Sequence, residues 1–195
     1  MKKISIFLLT LFISFTLIAC NEQIIEEEPV DEIKYSEIKL VENGSTDYKI
    51  VYPENASDLV KVTAVEELKY FFELATGIKL EAISDEYINE SNQGDYYLSI
   101  GETKLLIAKN ITPDRKKLGE SGLEVKLIEQ TLFMFGATDD STLYAVYSFL
   151  EHQFEFEVYA SDEIYVRTVT SDEYLIDFDL VDLPSFDYRL GTNGE

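Results

Sequence analysis

The chain has 195 residues, 38 carboxylates against 16 Lys and Arg, and a formal net charge of −22. So acidic a balance excludes nucleic acid and anionic lipid as electrostatic partners. A single His and a single Cys exclude a His/Cys metal cluster and a disulfide framework, so stability has to come from a core.

Lys2 and Lys3 precede an almost wholly apolar run from Ile4 to Ile18, and Ala19-Cys20 follow. An apolar stretch this short behind a basic head reads as a secretory signal, residues 1–19, rather than a spanning helix. Leu17-Ile18-Ala19-Cys20 resembles a bacterial lipobox, which implies cleavage before Cys20 and a diacylglyceryl group on its thiol. Two acyl chains, at about 0.8 kcal/mol per buried methylene, hold a protein stably at a membrane. The expectation is an exported protein anchored through Cys20 to the bacterial cell surface or outer membrane. Loss of 19 residues leaves 176 and, with Lys2 and Lys3 gone, moves the net charge from −22 to −24. Glu22, Glu26, Glu27, Glu28, Asp31 and Glu32 then make residues 20–33 an acidic tether. Residues 34–184 form one domain, long enough to bury about two-thirds of its unfolded surface.

Within that domain, Tyr35–Val41 and Tyr48–Tyr52 read as short strands around the turn signal Asn43-Gly44-Ser45, and Pro53 stops the second. Asn55 or Ser57 can cap a helix over 56–76 whose stripe is Val60, Ala64, Leu68, Phe71, Phe72 and Ala75, with Gly77 at its exit. Lys79–Ile83 is a brief strand, 85–95 a polar loop, Tyr96–Ile100 a strand closed by Gly101, and 103–109 a short helical piece. Arg115-Lys116-Lys117 is expected to be a basic loop.

The strongest unit is Leu123–Phe154. Leu123, Val125 and Leu127 alternate with polar residues, Glu129-Gln130 turns a hairpin, and Leu132–Phe135 is a second, apolar strand. Asp139 or Asp140 is placed to cap a helix bearing Leu143, Val146, Tyr147, Leu150 and Phe154. Phe156–Tyr159 and Ile164–Thr168 follow as strands, and Glu173–Val181 reads as one alternating strand ended by Pro184. Seven to nine short strands and two good helices predict an α+β fold. It is a two-layer α/β sandwich with a mixed, largely antiparallel sheet and both main helices on one face. Phe133 and Phe135 alternate with Leu132 and Met134, so apolar residues are expected on the far face too, where a partner would dock.

No side chain is nominated as catalytic. His152 falls at a helix end, where an imidazolium beside carbonyls is ordinary. Asp139-Asp140 lies where a helix start wants carboxylates, and an acid/base pair cannot be read from so many acidic residues. The Asp-rich stretches lack EF-hand spacing, and Gly101, Gly119 and Gly122 make no phosphate loop. No cofactor and no metal are expected. Thirteen Tyr and twelve Phe occur without Trp; most fall on strand or helix stripes and read as core, while exposed Tyr rings could stack on sugars.

The order of the pieces resembles a known domain. Tyr48-Lys49-Ile50-Val51-Tyr52-Pro53, Ala64-Val65-Glu66-Glu67-Leu68-Lys69-Tyr70-Phe71 and Thr76-Gly77 resemble the start of the N-terminal domain of bacterial α-glucuronidases, glycoside hydrolase family 67. Ile100-Gly101-Glu102-Thr103, Leu118–Val125, Gly136-Ala137-Thr138 and Leu143–Glu151 are similar to its later parts, and Pro184–Arg189 to its lead-out. One departure is visible: where the family has a Gly and an Arg at the helix exit, this chain has His152-Gln153-Phe154-Glu155-Phe156. The resemblance implies a non-catalytic α/β domain of the kind that also precedes the barrel in family 20 β-hexosaminidases. The acid and base then belong to a C-terminal (β/α)8 barrel of about 200–250 residues. Residues 185–195 would be a truncated lead-in to that barrel, and the chain a fragment of a polysaccharide-degrading enzyme. A stand-alone carbohydrate-binding surface lipoprotein is the other expectation.

Overall fold

The computed structural model describes residues 33–160 and 163–183. The expected signal 1–19, Cys20, the tether up to Glu32 and the lead-in 185–195 lie outside the described residues. A six-stranded mixed sheet is formed by β2 (Lys49–Tyr52), β3 (Ala82–Ser84), β4 (Tyr97–Ile100), β5 (Leu123–Ile128), β6 (Thr131–Gly136) and β10 (Asp179–Asp182). Its order is β10-β5-β6-β4-β2-β3. Neighbours β6, β4, β2 and β3 run parallel, and β10-β5-β6 antiparallel. Two antiparallel ribbons flank it: β1 (Tyr35–Val41) with β9 (Glu173–Ile176), and β7 (Glu157–Ala160) with β8 (Glu163–Tyr165). Four of the seven strand pairings are therefore antiparallel, and the α+β sandwich read from the sequence is the fold observed.

The two long helices, α1 (Val65–Thr76) and α4 (Asp139–Phe154), pack on one face. There Ile50, Leu98, Ile100, Leu132, Met134, Leu123 and Val125 meet Leu68, Phe72, Ala145, Phe149 and Leu150. The helix expected over 56–76 opens as a π-helical segment, Leu59–Ala64, before becoming α1. Ser57 serves its start, its Oγ accepting from the Val60 N–H at 3.4 Å. All six expected stripe residues are buried, and Gly77 closes α1 at φ +73°, a conformation glycine adopts without strain. On α4 Val146, Leu150 and Phe154 are buried as expected, Leu143 and Tyr147 are half-buried, and Ala145, Phe149 and Gln153 join the buried stripe.

Several expectations are corrected. Arg115-Lys116-Lys117 is not a loop but the start of a four-residue helix, α3 (Arg115–Leu118), whose N-cap Asp114 accepts from the Lys117 N–H at 3.1 Å. The cap of α4 is Thr138, not Asp139 or Asp140. Its Oγ1 accepts from the Ser141 N–H at 3.2 Å while the Ser141 Oγ accepts from the Thr138 N–H at 2.8 Å. Glu173–Val181 is two strands in two sheets. The chain pivots at Asp177-Phe178; Ile176 and Phe178 are buried as alternation expects, Phe178 against Phe149, but Leu175 is buried and Tyr174 exposed. Finally, Phe133 and Phe135 do face away from the long helices, but that surface is no open dock. Leu105 and Leu106 of α2 (Lys104–Ala108), with Ile83, Ile88 and Ile111 at its margin, cover it.

Candidate functional site

The parallel half of the sheet places the most suggestive crevice. From β2 the chain crosses by α1, on one face, outward to β3; from β4 it leaves by α2, on the other face, toward β6. Adjacent parallel strands whose connections depart in opposite directions leave a gap beyond their carboxyl ends, the usual ligand position in open α/β sheets. A cleft of about 410 Å³ lies there.

Each wall comes from a strand end. After β2, Pro53, Asn55, Ala56, Ser57 and Val60 contribute; after β4, Gly101 and Glu102; after β6, Gly136, Ala137, Thr138 and Asp139, with Thr142 from α4. Arg115 of α3 completes the rim. Its guanidinium donates to the Ala137 carbonyl and pairs with Glu102. Gly136 lies so close to the first turn of α4 that an added Cβ would come within 2.2 Å of the Ser141 Oγ. The two lips are pinned from below by Asp85. This buried carboxylate accepts from the Glu54 N–H at 2.8 Å and the Lys104 N–H at 2.9 Å, joining the segments that follow β2 and β4. The start of α4 is disfavoured for an anion: Thr138 Oγ1 takes up the Ser141 N–H, and Asp139 and Asp140 add negative charge to the first turn.

A second groove, of about 610 Å³, lies at the amino ends of the same strands among Glu37, Lys39, Glu42, Asp47, Tyr96, Glu129 and Gln130. Its Lys39 is held by Glu42 and, at 2.9 Å, by Asp172. The Lys39 ammonium and the Asn43 N–H hold the Asp172 carboxyl below the usual carboxylate range, the Asn43 hydrogen bond being the larger effect.

The structure gives the residues singled out from sequence structural surroundings. His152 is exposed on the last turn of α4, its Nδ1 2.8 Å from the Ser148 carbonyl and its ring edge-on to Phe178. Asp139 reaches the cleft rim, whereas Asp177, Asp179 and Asp182 spread along the β9–β10 pivot and an edge strand. Among the described residues no group of three His, Cys, Asp or Glu is placed to hold a metal ion. Cys20 lies outside the described residues.

Sequence reasoning missed the network at the exit of α4. Gln153, buried, donates to Glu173 and to the Tyr174 carbonyl, both at 2.9 Å, and accepts from the Ile176 N–H at 3.0 Å. Arg167 binds Glu173 at 2.6 Å, the Gln153 carbonyl at 2.7 Å and Glu155 at 3.2 Å. Glu155 itself adopts the left-handed conformation, φ 53°, at the exit of α4. The cation at that exit, Arg167, comes from beyond β8. The signal was present only as an unpaired-looking Arg in an acidic chain.

No protein-family model matches the sequence, and no curated protein matches it. Among solved structures the chain is similar to CpGH84D, at 15% identity and TM-score 0.41, over 76% of this chain and 22% of that one. It is similar to BtGH115A, a family GH115 4-O-methyl-α-glucuronidase with specificity for decorated arabinogalactans, at 15% identity and TM-score 0.40, over 57% of this chain and 14% of that one. Both are glycoside-hydrolase chains, neither of family 67, and this chain spans less than a quarter of either.

Proposed function

We propose that this chain is a non-catalytic accessory domain preceding the (β/α)8 barrel of an α-glucuronidase-like glycoside hydrolase that acts in polysaccharide breakdown. In this reading the protein is exported and held at the cell surface or outer membrane by a lipid on Cys20. The observation that carries it is the ordered run of motifs from Tyr48 to Arg189. Their apolar members, among them Ile50, Leu68, Phe71, Ile100, Leu123, Val125, Val146 and Leu150, are the buried residues of β2, α1, β4, β5 and α4.

The reading assigns the acid and base to the barrel, so the purified chain should release no sugar from xylo- or glucurono-oligosaccharides. Release that rises in proportion to the chain and survives repurification would contradict it. A second reading, a stand-alone carbohydrate-binding surface lipoprotein, draws on one observation. Tyr159 and Tyr165 are 65% and 45% exposed on the β7–β8 ribbon, where such rings are open to stacking on a sugar.

A further inference from the structure

We infer that the cleft beyond the carboxyl ends of β2, β4 and β6 is a binding site for a neutral, polyhydroxylated ligand of one or two sugar rings. The inference deepens the carbohydrate reading above and takes its ligand class partly from it, while the position of the site stands on topology and geometry alone.

The position follows from the gap between β2 and β4, whose connections leave on opposite faces. Asp85 keeps that gap open at fixed width, with one carboxylate oxygen on the backbone of each lip. At about 410 Å³ the cleft falls within the range of small-ligand sites, roughly 300–1,000 Å³.

The ligand class follows from the lining. A hydroxyl donates and accepts at once, and the rim offers both partners: the Asp139 carboxylate and the Asn55 carbonyl accept and the Asn55 amide donates, beside the Glu102–Arg115 pair. Pro53 and Ala56, both half-buried, supply an apolar wall for the C–H face of a sugar ring. An anion is disfavoured, because Glu102 and the Ala137 carbonyl already engage the one guanidinium and the Asp139 carboxylate is left as the uncompensated charge. The site therefore discriminates against uronic acids and favours neutral sugars. Asn55 and Asp139 are exposed side chains with no core contact to lose, so they can be changed without unfolding the domain.

The test is calorimetric titration of the full chain, in mild detergent, with xylobiose, cellobiose and glucuronate. At least one neutral disaccharide should bind saturably and more tightly than glucuronate. Asn55→Ala and Asp139→Ala should each weaken it about tenfold, as loss of a hydrogen bond to sugar predicts, with thermal melts unchanged within a few degrees. Absence of saturable binding by both disaccharides, tighter binding of glucuronate, or affinity that survives both substitutions would overturn the site. Affinity that falls instead on Tyr159→Ala would move sugar contact to the ribbon and overturn it equally. None of these results bears on whether a barrel follows the domain, so the site and the accessory role fail separately.

Discussion

Tyr48 carries the one buried side-chain polar atom without a hydrogen-bond partner among the described residues. The residue is only 2% exposed, its ring set edge-on to Tyr96, and burial drives its hydroxyl well above the usual tyrosine range. An unpaired buried hydroxyl lost its water on folding and gained nothing for it. Tyr48→Phe should therefore stabilise the domain by about 1 kcal/mol in urea unfolding; a loss of stability would show that the hydroxyl has a partner after all. Tyr147 behaves differently. Burial first, then the neighbouring Glu67 carboxylate, pushes its hydroxyl up to about 12 from an ordinary 10.0. Its raised value means that the unfolded chain releases the proton before the folded one. The contribution is whole below pH 10 and disappears as pH rises from about 10 toward 12. Stability should fall across that window, and Tyr147→Phe should make the fall shallower; an identical alkaline profile for the variant would contradict the assignment.

Among the elements, α4 shows how far local signals reach. Its length, its core-facing side and its place after a hairpin are legible, because apolar residues recur at helical spacing from Leu143 to Phe154. Which residue caps it is not. Asp139-Asp140 looks the better cap by composition, yet β6 runs on through Gly136 and leaves Thr138 at the turn, where Gly136 allows close approach of Ser141. Thr138→Ala should cost about 1 kcal/mol in thermal or urea unfolding, and Asp139→Ala less, since the latter removes only a charge near the helix dipole. The reverse order would restore the aspartate cap. The β9–β10 pivot illustrates a different limit. Its alternation is real over Ile176–Leu180, but the pairing of β9 with β1 and of β10 with β5 is long-range, and periodicity carries no partner. The same holds for Arg167, whose acceptors Gln153 and Glu173 come from elsewhere in the chain, and for Asp85, which a polar loop disguises as solvent-facing.

For the whole molecule, sequence and structure agree on an α+β sandwich whose two long helices share one face, because two amphipathic helices and apolar strands can bury their stripes in few other ways. They part over the far face, which α2 covers with Leu105 and Leu106. Apolar alternation announced that face, but a five-residue helix gives too little periodicity to announce its lid. The cleft was equally unreadable, since Asn55, Glu102, Arg115 and Asp139 meet only once the parallel strand order is set. What the domain belongs to is tested most directly by the native polypeptide itself. Intact mass and peptide mapping of the native protein carrying this sequence should find a mature start at a diacylated Cys20. They should also find about 200–250 further residues, enough for a barrel, joined after residue 195. A native polypeptide that ends at Glu195, or one that keeps residues 1–19 with an unmodified Cys20, would contradict the account.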